Sequence, residues 1–151
     1  MPFLLQTWHI LLASLCGMVN ERQQQIIEFQ NAQIEALLQG WVLREDVDVV
    51  IATGGTGVTG RDTTPEAFAA VYEKEIPGFG ELFRWLSYAK IGTSTIQSRA
   101  SAGVAGGTYL FSLPGSPGAC KDAWDGILVT QLDSRFRPCN FVELMPRLRE
   151  R

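Results

Sequence analysis

Two short stretches carry residue types that could do chemistry. The first is TGGTGVTGRDTTPEAF, residues 53–68, where four glycines fall within seven positions and Asp62 follows. The second is PGSPG, residues 114–118. Glycines at the carboxyl end of a strand let backbone N–H groups converge on an anion, and a helix beginning beyond them adds its partial positive charge. The two loops are therefore candidate phosphate cradles, and Asp62 is the carboxylate that would hold the accompanying metal ion. By pattern alone, two ordinary strand-to-helix turns explain the same glycines equally well. Gly55-Thr56-Gly57-Val58-Thr59-Gly60 literally matches the dinucleotide pattern G-x-G-x-x-G, but the helix expected next begins several residues too late. No Gly-Lys-Ser/Thr follows, which excludes a Walker phosphate loop. His9 is the sole histidine and lies far from both loops in sequence, so general-base catalysis by imidazole is not expected.

Two such loops meet only if the strands before them are parallel neighbours, because open α/β sheets gather ligands at the carboxyl edge of their strands. VDVVIAT, residues 47–53, suits a strand buried on both faces, and TYLFSLPG, residues 108–115, suits a second. Ile34, Leu37, Leu38, Trp41 and Val42 recur at helical spacing and predict a helix over about residues 30–44 with these five as its buried stripe. A helix followed by a strand is half of a βαβ repeat. Thr63 with Glu66 forms a capping-box pattern, and Thr64 before Pro65 is the competing cap, so a helix starts near residue 64. Pro77–Gly80 reads as a turn before a second helix with Leu82, Phe83 and Leu86 on one side. Residues 94–107 are small and polar and are expected to be helical only in part. Ser116 caps and Pro117 opens a helix whose stripe is Cys120, Trp124, Ile127 and Leu128, with Trp85 and Trp124 assigned to the core. The tail, residues 135–151, carries five arginines and two prolines and reads as an irregular arm folded back on the domain.

A chain of 151 residues suggests one domain, large enough to bury about two thirds of its unfolded surface. A net charge of −3 gives no overall attraction for nucleic acid. Cys16, Cys120 and Cys139 are widely spaced and odd in number, which fits reduced thiols in a cytoplasmic protein better than a disulfide framework or a zinc site. Residues 1–25 stand apart. The apolar run is interrupted by Gln6, Thr7 and His9, and no basic residue precedes Arg22, so it lacks the charged start of a signal peptide. It is too short and too polar for a membrane span. We read 1–25 as an anomalous segment, buried or misplaced, and 26–151 as the α/β domain.

TGGTGVTGRDTTPEAF, IPGFGELFRWLS, IGTSTIQSRASAGVAGGTYLFSLPGSPGACKDAW and LDSRFRPCNF occur in order and together resemble the MoaB/MogA family of molybdenum cofactor biosynthesis proteins, with RPCNF closer to the MoaB branch. The resemblance covers about residues 26–143. It implies a three-layer α/β/α fold with a mostly parallel sheet, homotrimers or homohexamers, and contact with other molybdenum cofactor proteins. It also implies a reaction, adenylation of molybdopterin with ATP and Mg²⁺ as substrates and metal, although some MoaB-branch members do not carry it out. By motif, Thr53, Gly54, Gly55, Thr56 and Gly57 would line the nucleotide and pterin phosphate site. Asp62 matches the metal-binding carboxylate, and Pro77–Glu81 would form a neighbouring wall. Ser98 and Arg99 match a position near the ligand phosphate, and Gly115 and Ser116 the second phosphate loop. Outside that resemblance, Arg99 reads as a surface ion pair.

Two departures bear on activity. The strand and Ser-Asp-Arg loop with which the family opens are missing or replaced by MPFLLQTWHILLASLCGMVNE. Where the family has a second catalytic carboxylate, the chain reads Ile26-Ile27-Glu28-Phe29-Gln30, with Phe29 at the expected position and Glu28 beside it. A non-catalytic pterin-binding or delivery protein is therefore carried beside the adenylyltransferase, and a generic dinucleotide binder as a distant third. The choice between molybdenum and tungsten is open at this level.

Overall fold

The computed structural model describes residues 3–150, with side chains from Ser14 onward. In chain order the elements are α1 (Phe3–Val42), β1 (Val49–Thr53), α2 (Thr64–Val71), β2 (Lys74–Glu75), α3 (Pro77–Ile91), a tight helical turn (Gly92–Gln97), β3 (Ser101–Ala105), β4 (Thr108–Leu113) and α4 (Pro117–Ala123). A wide helical turn (Trp124–Leu128) leads from α4 into α5 (Val129–Gln131), and α6 (Phe141–Leu144) lies in the tail. The four strands form one sheet in the order β1-β4-β3-β2. β1 and β4 are parallel, Val49 opposite Tyr109 and Thr53 opposite Leu113, while β3–β4 and β2–β3 are antiparallel. The parallel character sits in the one pair that carries the two glycine loops.

Side chains alternate across β4, and each face of the sheet is covered. Leu110 joins Leu38 of α1, Val50 and Phe68 of α2 in one core. Tyr109, Phe111 and Leu113 point the other way, against Phe79 and Phe83 of α3 and Ile127 and Leu128. Helices thus flank both faces in a three-layer α/β/α arrangement. The tail folds back as expected: Phe141, Met145 and Leu148 pack on the second core, and the Tyr109 hydroxyl donates to Phe141 O at 3.0 Å.

Several expectations change. The helix expected over 30–44 is the end of a 40-residue helix that runs through the 25/26 boundary without a break. Its described residues 14–26 are exposed rather than buried. Only Leu38 of its expected stripe is fully buried, with Ile34 and Val42 packed beside it, because α1 meets the sheet and α2 along one narrow flank. Leu37 and Trp41 lie outside that flank. β1 is an edge strand, so Ile51 is 41% exposed instead of covered on both faces. Pro77 opens α3 directly; there is no preceding turn, and Phe79, Phe83 and Ser87 take the buried side while Leu82 faces outward. Neither proposed cap closes α2: Thr63 is the N-cap residue without a side-chain bond, and Glu66 pairs with Arg99 instead. Residues 101–105 form a strand, and β2 was not expected at all. Trp85 is 72% exposed and Trp124 is also exposed, since both sit on helix faces turned away from the sheet. Ser116 does cap its helix, accepting from Ala119 N.

Candidate functional site

Both glycine loops leave the carboxyl ends of β1 and β4, which the parallel register places side by side. Gly54 N donates to Leu113 O at 2.9 Å, extending the ladder by one bond, and the Thr53 hydroxyl donates to Pro114 O at 3.0 Å. The Cys120 thiol reaches the same carbonyl at 3.1 Å, so Thr53, Pro114 and Cys120 latch one loop to the other. A Cβ on Gly115 would lie 3.2 Å from Gly54 Cα, and one on Gly55 would collide with the Thr64 hydroxyl. Gly54 (φ 102°) and Gly55 (φ 65°) also hold left-handed backbone that other residues rarely adopt.

The first loop is tied from behind by its carbonyls. Thr64 N donates to Gly55 O at 3.1 Å and Arg99 N to Thr56 O at 2.9 Å. The Arg99 side chain donates from Nε to Gly57 O at 2.6 Å, and its two terminal nitrogens bond Asp62 O and the Glu66 carboxylate. With the carbonyls turned inward, the amides of Gly55, Thr56, Gly115 and Ser116 donate to no acceptor among the described residues. Unpaired backbone amides in glycine loops are what an anion needs.

Asp62 closes over the first loop. Its Oδ2 accepts from Thr59 Oγ1 at 2.6 Å and Thr59 N at 2.9 Å, and a Cβ on Gly57 would meet that oxygen at 2.7 Å. The Thr59 hydroxyl first, then the Thr59 amide, hold the carboxyl below its ordinary range, with the Gly57 amide and the Arg99 charge adding to the effect. Oδ1 is left without a hydrogen bond among the described residues, so the ionised group keeps one oxygen for a ligand.

A cleft of about 410 Å³ gathers Gly55, Thr56, Gly57, Asp62, Ser98, Gly115 and Ser116 on its walls. It therefore brings together seven of the ten residues singled out from the sequence. Thr53 and Gly54 are absent from its walls because they are spent on the latch. Arg99 lies behind the loop, lining two other cavities, of about 470 and 530 Å³. The wider of these collects Tyr72 and Ile76 with Glu66, Glu75 and Glu81 set among Arg84, Ser98 and Arg99, and no glycine-loop amide reaches it. Pro77, Gly80 and Glu81 wall that neighbouring cavity. Sequence reasoning missed Phe83, Ser87, Ile91, Ser94, Thr95 and Gln97, which form the far wall of the 410 Å³ cleft. The run GTSTIQS carries hydroxyl and amide groups at almost every position and was the one available signal.

On the other side of Asp62, the 470 Å³ cavity is walled by Gln24, Ile27 and Asn31 of α1. Phe29 and Glu28, expected near the second-carboxylate position, do not reach it. Helical geometry turns Phe29 outward, 64% exposed, and Glu28 accepts from Gln24 at the surface. Asn31 takes that place, and its Oδ1 is buried without a hydrogen-bond partner. No group of three or more acidic, histidine or cysteine side chains that could hold a metal occurs among the described residues. The donor set fits a magnesium ion only in the form such ions favour, one carboxylate completed by substrate phosphates and water.

The sequence matches the family described as "Probable molybdopterin binding domain" over residues 12–134. "Molybdenum cofactor biosynthesis protein B" of Escherichia coli (strain K12) is 51% identical over 116 residues, which cover 77% of this chain and 68% of that protein. The protein of the same name from Staphylococcus carnosus (strain TM300) is 45% identical over 124 residues, 82% of this chain and 72% of that one. Among solved structures, "Crystal structure of Molybdenum cofactor biosynthesis protein B" superposes with a TM-score of 0.69 at 39% identity, covering 80% of this chain and 70% of that chain.

Proposed function

Since this chain belongs to the molybdopterin-binding family of molybdenum cofactor biosynthesis, in its MoaB branch, we propose that the 410 Å³ cleft is where it binds molybdopterin and transfers an adenylyl group to it from ATP. The observation that carries this reading is the convergence of two glycine loops, Asp62 and Ser98 on one cleft. In the transfer, an oxygen of the pterin phosphate attacks the α-phosphorus of ATP, and the bond to pyrophosphate breaks as the new P–O bond forms. Both partners are anions, so the protein must align them against their repulsion. The free amides of Gly55 and Thr56 would receive one phosphate and those of Gly115 and Ser116 the other. Ser98 would orient the pterin phosphate, and Arg99 would act at one remove by holding the first loop in shape. Mg²⁺, bound through Asp62 Oδ1 and the phosphates, would neutralise charge on them. The cytoplasm is the proposed location, with a homotrimer or homohexamer as the working assembly and other molybdenum cofactor proteins as partners.

The test is adenylation of molybdopterin by the purified chain with ATP and Mg²⁺, read as pyrophosphate release. Activity that disappears in Asp62→Asn supports the reading. No adenylation with molybdopterin still bound would favour a second reading, a pterin-binding or delivery protein. One observation supports that alternative: α1 presents Asn31, not a carboxylate, opposite Asp62.

A further inference from the structure

Helix α1 has a second apolar flank that stands exposed among the described residues, bordered at its middle by the Thr59–Arg61 loop. Leu15, Val19, Ile26, Phe29, Leu37 and Trp41 are each at least 39% exposed. At 3.6 residues per turn they fall within an arc of about 120° and extend for about 39 Å along the helix. This arc adjoins the flank, marked by Ile34 and Leu38, that packs on the sheet and α2. Its other members are glutamines, Gly40 and a single charge, Arg22, while Glu21, Glu28 and Glu35 lie on the far side.

We propose that this flank pairs with the same flank of a second copy of the chain, the two α1 helices antiparallel about a two-fold axis near residue 28, so that of the two proposed assemblies the contact belongs to the homohexamer, joining copies across its two halves. The spacing is self-complementary in that orientation. Leu15 falls opposite Trp41 and Val19 opposite Leu37, each pair of residue numbers adding to 56. Ile26 falls opposite Phe29, and the two polar interruptions, Arg22 and Gln33, face each other, each pair adding to 55. Every apolar position meets an apolar one, and the lone cation meets an amide. A two-fold contact requires this reciprocity, residue i touching j while j touches i. A parallel pair would instead stack Arg22 on Arg22. Phe29 and Trp41 are of the size that exposes roughly 150–250 Å² and the four aliphatic side chains somewhat less, so the six exposures offer at most about 600 Å² per copy, the low end of a stable interface. The stems of Arg22 and Gln33 supply more.

Sedimentation velocity of the full chain and three variants tests this. Val19→Glu and Leu37→Lys each introduce a charge at an exposed helical position outside the cleft, and far-UV circular dichroism should be unchanged. Each single variant should halve the particle mass at micromolar concentration and weaken association at least 100-fold. The double variant Val19→Glu/Leu37→Lys should recover the parent mass, because each new charge meets its opposite across the axis. Parent mass in both single variants would overturn the proposal. So would a double variant that stays dissociated, which would rule out the antiparallel register. None of these outcomes bears on molybdopterin binding, since neither position lines the cleft.

Discussion

At Gly57 the chain has no room for a side chain, because the Asp62 carboxylate lies 2.7 Å from where its Cβ would be. Gly57→Val should therefore push Asp62 off Thr59 and open the first loop. Titration calorimetry should read at least a tenfold loss of molybdopterin affinity, about 1.4 kcal/mol, with the far-UV spectrum unchanged. The same bonds set the charge of Asp62. A carboxyl held below its ordinary range stays ionised as pH falls, and whatever it stabilises is lost only below about 3.9. Carbon-13 titration of the Asp62 carboxyl should give a midpoint below that value, and Thr59→Ala, which removes the largest cause, should raise it. Across the 470 Å³ cavity from Asp62, Asn31 matters more than Phe29. Asn31→Asp should raise the adenylation rate tenfold or more by adding a second carboxylate near the metal, while Phe29→Asp should leave it unchanged. A rise with Phe29→Asp alone would mean that α1 sits differently against the loop.

At the scale of elements, the sheet depends on small residues where helices press close. Gly103 of β3 lies under the Tyr72 ring, which a Cβ would strike. The Tyr72 hydroxyl meets Ser101 Oγ at 3.0 Å, and Ser101 Oγ meets Ser112 Oγ at 2.8 Å, so the ring cannot simply swing away. Gly103→Ala should cost about 1–3 kcal/mol by urea unfolding. The same smallness hid this strand from sequence reading. SAGVA has little β-branched or aromatic content, and its pairing with β4 and β2, not its own propensity, makes it a strand. β4 was legible because Tyr109, Leu110, Phe111 and Leu113 crowd bulky apolar side chains into TYLFSL, and it stays buried on both faces. Leu37 and Trp41 misled because periodicity identifies a helix and its apolar residues but not which of two apolar flanks meets the sheet. Much of the site was legible, since left-handed backbone at Gly54 and Gly55 and close contact at Gly115 can be met only by glycine. The far wall was not, because Ser94, Thr95 and Gln97 belong to a tight turn without period.

For the whole molecule, the open side of the sheet sets its behaviour in solution. β1 bonds only to β4, and no Pro, Lys or bulge guards its free edge, while Ile51 stands exposed there. Unguarded edges template further pairing. Ile51→Lys should slow aggregation at least several-fold by light scattering, with molybdopterin affinity unchanged, because Ile51 lines no wall of the cleft. No helix among the described residues is long and apolar enough to cross a membrane.

If the paired glycine loops receive the phosphate of molybdopterin, the amide proton and nitrogen-15 shifts of the chain will report it as molybdopterin is added. The amides of Gly55, Thr56, Gly115 and Ser116 should move downfield together and saturate with one affinity, while those of Tyr72, Glu75 and Arg84 around the neighbouring cavity stay in place. Saturating shifts confined to Tyr72, Glu75 and Arg84, with the four loop amides unmoved, would mean that molybdopterin binds in the 530 Å³ cavity and not between the glycine loops.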